Sequence, residues 1–317
     1  MSDAEVGPGD VDQAAVDQAA VDQAAVEEFA RERPRLLGLA YRMLGTRADA
    51  QDVLQEAWVR WQRADRRDIE RPAAWLTTVV SRLALDQLRA RQRDRADYVG
   101  PWLPEPMPTS EQAGDPGLRI EREESLSLGF VHLLERLNPR ERAAFVLADV
   151  FDESFRDIAA MLGETETNCR QLASRARRKV SDPTRSAHRP ASPSAVATAL
   201  DAFVSASATG DLDALLAVLA PDVVLVSDGG AARHAARRPV VGALRVSRLV
   251  LSLAARLPGH AEILVVELNG RAGLVLRSAS ETYLTISFDV ADGLIERLYI
   301  VVNPEKLARI DEPILIT

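Results

Sequence analysis

Residues 153–180 read ESFRDIAAMLGETETNCRQLASRARRKV. Phe155, Ile158, Ala159 and Leu162 recur at helical spacing, Gly163 interrupts, and Cys169, Leu172 and Ala176 resume the period. Two short amphipathic helices joined by a glycine turn predict a helix-turn-helix. Upstream, LNPRER predicts a further helix start, with Asn138 as N-cap, Pro139 at the first position and Glu141 closing a capping box. The outward face of the second helix changes along its length. Thr165, Glu166, Thr167, Asn168, Arg170 and Gln171 stand at its N-terminal end, where polar side chains read base edges in a major groove. Arg175, Arg177, Arg178 and Lys179 follow without an intervening acid and suit phosphates, which give affinity without sequence information. The turn, the capping and the polar-then-basic order favour DNA over a merely solvated face.

This basic helix sits in an acidic chain of 317 residues with a net charge of -8. The charge is segregated: residues 1–26 hold six acids and no base. The length fits two or three domains. The single cysteine, Cys169, excludes an intramolecular disulfide framework and fits a reducing compartment. Its inward phase assigns it to packing rather than to a redox switch. The four histidines are scattered without metal-ligand spacing, so neither a metal nor a cofactor is expected. The chain shows no membrane-length apolar run and no signal peptide, and a cytoplasmic protein is expected.

Outward from the helix-turn-helix, the chain divides into six stretches. Residues 1–26 carry VDQAA three times, a period that suits neither a heptad nor a helix face, and read as an acidic, disordered or fraying tail. Residues 27–97 are helical, broken at Gly45-Thr46 and restarted at Pro72. Leu54, Ala57, Trp58 and Trp61 share one face of the middle helix. Trp75 is in phase with Val79 and Leu83, which assigns it to the core rather than to stacking on a base. Residues 98–117 hold five prolines and three glycines and read as a linker with an extended start. Residues 118–181 are helical again, and 182–194 form a second linker. From 195 to 317, helical stretches precede strands, which predicts an α+β fold. The expected architecture is thus multidomain, two all-α units followed by an α+β unit.

The order RPRLLGLAYRMLGTRADAQDVLQEAWVRW, then PAAWLTTVVSRLALDQLRARQR, then YVGPWLPEP, then the helix-turn-helix resembles the extracytoplasmic-function (ECF) sigma factors. The resemblance covers residues 27 to about 181 and matches regions 2 and 4 of that family in order. It is most similar to the SigJ-like subgroup, which carries a C-terminal SnoaL-like domain, a cone-shaped α+β barrel. That subgroup has a DGGGK motif and an NPDKL-like motif around its C-terminal strands. Here Asp228, Gly229 and Gly230 match the first, with Ala231 and Ala232 replacing its end, and Asn303, Pro304, Glu305, Lys306 and Leu307 match the second.

The resemblance implies roles. Asp49, Asp52, Gln55, Glu56 and Arg60 would dock on the clamp helices of the RNA polymerase β′ subunit; on the residues alone they read as a solvated face. Arg66, Arg67, Arg71 and Arg82 would hold the −10 promoter element, where strand opening needs cations and a base pocket. Thr165, Thr167, Asn168, Arg170, Gln171, Arg175 and Arg178 would read the −35 element. The two C-terminal motifs would be regulatory, the last domain acting in cis on the sigma core, and any ligand of that domain is left unknown. The implied function is promoter-directed transcription initiation with core RNA polymerase and promoter DNA as partners, and no catalytic activity. Two rivals stay open: a one-component regulator that senses a ligand through its C-terminal domain, and a SnoaL-like enzyme fused to a DNA-binding region, for which no catalytic constellation stands out; Asp228 and His234 are near in sequence, but nothing in it shows that they meet.

Overall fold

The computed structural model describes residues 8–94, 98–108, 127–181, 191–257, 261–278 and 281–310. The linker expected over 182–194 and the start of the helical stretch expected from 118 lie largely outside these residues.

Three helices open the chain: α1 (Pro8–Leu44), α2 (Arg47–Arg63) and α3 (Pro72–Asp94). Gly45 ends α1 in the left-handed conformation, φ 77°, which glycine adopts without a Cβ clash. Leu36, Leu39, Met43, Ala50, Leu54, Ala57, Trp61, Leu76 and Val80 are buried among one another. The acidic repeat departs from expectation, because α1 begins at Pro8 and runs through it. Ala and Gln propagate a helix well, and extension from a packed helix avoids the cost of nucleation. Ala25 and Phe29 already belong to the core, and the Trp61 indole N–H donates to the Ala25 carbonyl at 3.0 Å.

Four shorter helices follow: α4 (Leu128–Leu134), α5 (Pro139–Phe145), α6 (Phe155–Leu162) and α7 (Glu166–Val180). The Asn138–Glu141 capping box closes in both directions, at 2.9 and 3.2 Å. Gly163, φ 66°, makes the turn between α6 and α7. Cys169, Leu172, Ala173 and Ala176 are buried along the inner side of α7, as the period predicts.

The rest is α+β. Helices α8 (Pro193–Thr209), α9 (Leu212–Val218) and α10 (Ala243–Ala254) cover one face of a six-stranded sheet, and the short α11 (Pro304–Leu307) closes the described chain. The strands are β1 (Leu219–Asp228), β2 (Val240–Val241), β3 (Glu262–Leu268), β4 (Arg271–Ser278), β5 (Glu281–Ala291) and β6 (Leu294–Val301). They lie in the order β2-β1-β6-β5-β4-β3, antiparallel except for the β1–β6 pair. The sheet is open, so the expected cone does not close into a barrel. Along β5, Leu284, Ile286, Phe288 and Val290 meet the helices, while Asp289 on the alternate row meets Tyr299 and lies beside Gly129 of α4.

The first linker is the main surprise. Tyr98–Pro108 is no free spacer; it is wedged between the first helical body and the sheet. In LPEPMP (103–108) every second residue is proline and has no N–H to satisfy. The three N–H groups left over all find partners: Leu103 on Asp228 Oδ2 at 2.8 Å, Glu105 on the Gly45 carbonyl at 2.8 Å, Met107 on Asn269 Oδ1 at 3.0 Å. An extended strip with alternate donors is thereby buried without an orphan N–H.

Candidate nucleic-acid interface

The outward side of α7 gathers Thr167, Arg170, Gln171, Arg175 and Arg178 around one shallow, open depression, which Ser174 also lines. Five of the seven residues expected to read bases or phosphates are thus contiguous. Ser174 escaped the sequence reading because a serine amid arginines carries no signal of its own. Two expected readers are occupied locally. Thr165 is the N-cap of α7 and accepts from the Asn168 N–H at 3.2 Å, and the Asn168 side chain donates to Glu164 at 2.7 Å. Arg170 bonds Glu166 at 3.0 Å and lies over the Phe155 ring at 4.9 Å, which pre-orients its guanidinium at the surface.

The basic run also splits by direction. Arg177 pairs with Asp149 at 2.7 Å and Lys179 with Glu141 at 2.6 Å. These two fasten α7 to its own domain; Arg175 also reaches Glu141, at 3.7 Å, but lines the open depression, as does Arg178. Burial alone would raise the Glu141 carboxyl, but the Lys179 ammonium and the Asn138 N–H outweigh it and hold it below the ordinary range. Burial pushes the Cys169 thiol up, toward the inert form.

In the first body, Asp52, Gln55, Glu56 and Arg60 form one exposed face of α2, with Glu56 and Arg60 paired at 2.9 Å. Asp49 does not join them. It is buried and bonded by Thr46, Arg91 and Gln87, tying α2 to α3. Its place in the row Asp49, Val53, Ala57, Trp61, at steps of four, puts it on the inner face. The loop after α2 presents Arg66, Arg67 and Arg71. Asp65 caps its short 3-10 turn and grips Arg67 at 2.7 Å, and that bond holds the Asp65 carboxyl down to about 2. Trp75 packs on Trp61, ring centroids 5.4 Å apart, as its phase predicts. Arg82, expected at the −10 element, is engaged within the protein. Its guanidinium donates to the Met161 and Ala160 carbonyls at 2.9 and 2.8 Å. These are orphan carbonyls at the C-terminal end of α6, and a cation suits them.

Family comparison fits this layout. The Sigma-70 region 2 model matches residues 29–94, and the Sigma-70 region 4 model matches residues 128–180. The chain is 38% identical over 299 residues to the ECF RNA polymerase sigma factor SigJ of Mycobacterium tuberculosis, covering 88% of this chain and 91% of that one. The chain belongs to the ECF RNA polymerase sigma factors. A crystal structure of M. tuberculosis SigJ superposes with a TM-score of 0.71 at 37% identity, covering 89% of this chain and 98% of that one. The probable ECF RNA polymerase sigma factor SigI of the same organism is 34% identical over 281 residues, 87% of this chain and 92% of its own. Core RNA polymerase and promoter DNA are therefore partners of this sigma factor, and a one-component regulator has no use for its region 2.

The sigma factor's two C-terminal motifs converge on the linker. Asp228 is fully buried and its carboxylate accepts from Tyr98 Oη at 2.6 Å, the Leu103 and Gly230 N–H groups at 2.8 and 3.0 Å, and Lys306 Nζ at 2.6 Å. Lys306 also donates to the Leu103 carbonyl at 2.5 Å and stands over the Trp102 ring at 4.0 Å. Asn303 caps α11 through the Glu305 N–H and donates to Tyr98 Oη at 3.0 Å. Pro304 takes the first helical position, Glu305 stays exposed, and Leu307 packs with Leu103 and Leu128. Gly229 and Gly230 are required here: a Cβ on Gly229 would sit 2.2 Å from the Arg233 carbonyl, and one on Gly230 2.7 Å from Asn303 Nδ2. On the far side of the linker, Tyr41 Oη donates to the Glu105 carbonyl at 2.7 Å and accepts from Asn269 at 2.8 Å. Burial drives the Tyr41 and Tyr98 hydroxyls well above the ordinary range, so both stay protonated donors. The Asp228 carboxylate faces the linker and holds the Tyr98, Lys306 and backbone donors rather than His234. Sequence reasoning missed Tyr98, Trp102, Leu103 and Asn269 as partners of the motifs, because a proline-rich stretch reads as a spacer.

Proposed function

We propose that this ECF sigma factor is regulated in cis: its C-terminal domain clamps the linker between regions 2 and 4 and holds the two regions in a closed arrangement. The observation that carries the reading is the buried Asp228, which joins Tyr98 and Leu103 of the linker to Lys306 of α11. A buried ion pair is weak evidence for stability but strong at fixing one arrangement, because removing either partner strands the other. Within the same reading, the Asp52, Gln55, Glu56 and Arg60 face docks on the polymerase β′ clamp helices. Arg66, Arg67 and Arg71 serve the −10 element, and the α7 depression reads the −35 element. Arg82 becomes free for DNA only when region 4 leaves α3. Promoter-specific run-off transcription with core RNA polymerase tests the reading. Both the full chain and a chain ending at Asp182 are expected to start at the same site, with different yield. Equal yields would remove the cis regulation, and no defined start from either would remove the assigned DNA roles.

A further inference from the structure

On the helix-covered face of the sheet, two hollows run into one another. The inner one, about 540 Å³, is walled by Phe203, Val250, Leu274 and Ile286 between α8, α10 and the strands. The outer one, about 630 Å³, shares Leu253, Leu257, Leu284 and Ile300 with it and opens past Arg233, His234, Arg256 and Tyr283. Each lies within the range of about 300–1,000 Å³ typical of small-molecule sites. The chemistry is divided along the passage. The inner lining is apolar apart from Ser207 and Thr209, and the Ser207 hydroxyl is buried without a partner among the described residues. The mouth carries two arginines, and among the described residues neither lining contains a carboxylate. Arg233 stacks over the Tyr283 ring at 4.5 Å, which fixes its guanidinium at the entrance. Among the described residues neither Arg233 nor Arg256 has an acidic partner. Leu253, Ile263 and Tyr283 stay 38–40% exposed around the opening, an apolar rim left uncovered.

We propose that this passage is a binding site for a small apolar molecule bearing one negative charge, a carboxylate above all, with the apolar body against α8 and α10 and the anion at Arg233 and Arg256. Two cations over an apolar well select against cations, and a guanidinium matches a carboxylate in two parallel bonds. The site also touches the linker clamp. The Arg233 N–H donates to the Gly229 carbonyl at 3.1 Å, and the Ala236 N–H to Ser227 Oγ at 2.9 Å, closing 227–236 into one loop. One side of that loop grips Tyr98 and Leu103 through Asp228, and the other lines the passage. That ligand occupancy bears on the clamp rests on the cis-regulation reading above; the binding itself does not.

Isothermal titration of the full-length protein with 1-naphthoate and its neutral isostere naphthalene-1-carboxamide tests the site without polymerase or promoter. The naphthoate is expected to bind one to one and the amide about tenfold more weakly, the difference a charge-assisted bond makes. The double variant Arg233→Ala, Arg256→Ala should lower naphthoate to the affinity of the amide and leave the amide unchanged. Leu253→Asp, a substitution at the exposed rim, should abolish naphthoate binding by placing a like charge in the passage. Equal affinity for the two probes, no heat with naphthoate up to its solubility limit, or binding indifferent to the arginine pair would each overturn the proposal. A failure of cis regulation in the transcription assay would leave these isotherms unchanged.

Discussion

His132 shows how one residue can carry the state of the linker. Its half-buried ring meets Tyr299 edge-on, centroids 6.1 Å apart, and its Nδ1 lies 3.1 Å from the Trp102 carbonyl. Burial depresses its pKa to about 4; the Trp102 carbonyl opposes that, Arg297 and Lys306 add to it, and Asp228 pulls back. The neutral ring donates Nδ1–H to the linker, so the contact exists in the deprotonated form. Between the ordinary value of 6.5 and about 4, the unfolded chain takes up a proton that the folded one refuses. Stability from this group is therefore complete above pH 6.5 and is lost as pH falls toward 4, by at most about 3 kcal/mol. His132→Asn keeps an N–H donor and removes the titration. The fall in thermal midpoint between pH 7 and pH 5 should be smaller in the variant than in the parent; an identical fall would mean that His132 is not the titrating group. Arg142 is a harder case of the same physics. It is fully buried, held by the Arg42 carbonyl at 2.8 Å and Glu135 at 2.5 Å, and burial lowers its pKa to about 9. It stays charged at neutral pH, and its bond to the Arg42 carbonyl ties region 4 to the end of α1.

Helix α7 separates two kinds of cation that look alike in the sequence. Arg178 stands at the open depression, while Lys179 is bonded to the nearly buried Glu141. Arg178→Ala should weaken promoter binding by the holoenzyme and reduce its salt slope by about one, the loss of one released counterion. Lys179→Ala should leave that slope nearly unchanged and cost up to about 1 kcal/mol of stability, since Glu141 loses its 2.6 Å ion pair and keeps the Asn138 N–H and the more distant Arg175. Titrating promoter affinity against salt and measuring thermal midpoints separates the two; matching salt slopes would refute the division. The same element shows what the sequence could and could not convey. The capping box, the Gly163 turn and the inner face at Cys169, Leu172 and Ala176 follow local periodicity and turn chemistry, which a single helix writes into its own residues. The direction of Lys179 depends on a partner 38 residues away, and that of Arg82 on carbonyls 78 residues away or more. Asp49 lay within reach of the period, on the same row as Val53 and Ala57, but its carboxylate outweighed the phase. For the clamp, Asp228 and Lys306 were legible as members of motifs, and their partners were hidden in prolines that read as a spacer.

Across the whole molecule, region 2, region 4 and the C-terminal domain are joined pairwise or through the linker. Region 2 meets the linker through Tyr41, Gly45 and the Arg47 N–H, which donates to Glu105 Oε2 at 2.8 Å. Region 4 meets region 2 through Arg82 and Arg142, and meets the sheet through Leu128 and His132. The C-terminal domain meets the linker through Asp228 and Asn269. A triangle of this kind opens as a unit: when regions 2 and 4 part, α4 leaves Leu103, and the linker loses a wall of its site. The amides of Leu103, Glu105 and Met107 report this directly, because each donates to a different body or side chain. Arg82→Ala removes two bonds between region 2 and region 4 and touches none of these amides. If the closed arrangement is one cooperative unit, the substitution lowers the free energy of opening by about 1–3 kcal/mol, and exchange of all three amides accelerates by roughly tenfold or more. If the linker opens by itself, their exchange stays at the parental rate while only the α3–α6 contact loosens. Hydrogen exchange by mass spectrometry over the peptide spanning 98–108 distinguishes the two, and acceleration there is the expected outcome, because Leu128, Leu103 and Leu307 share one apolar cluster that cannot lose a member without exposing the others.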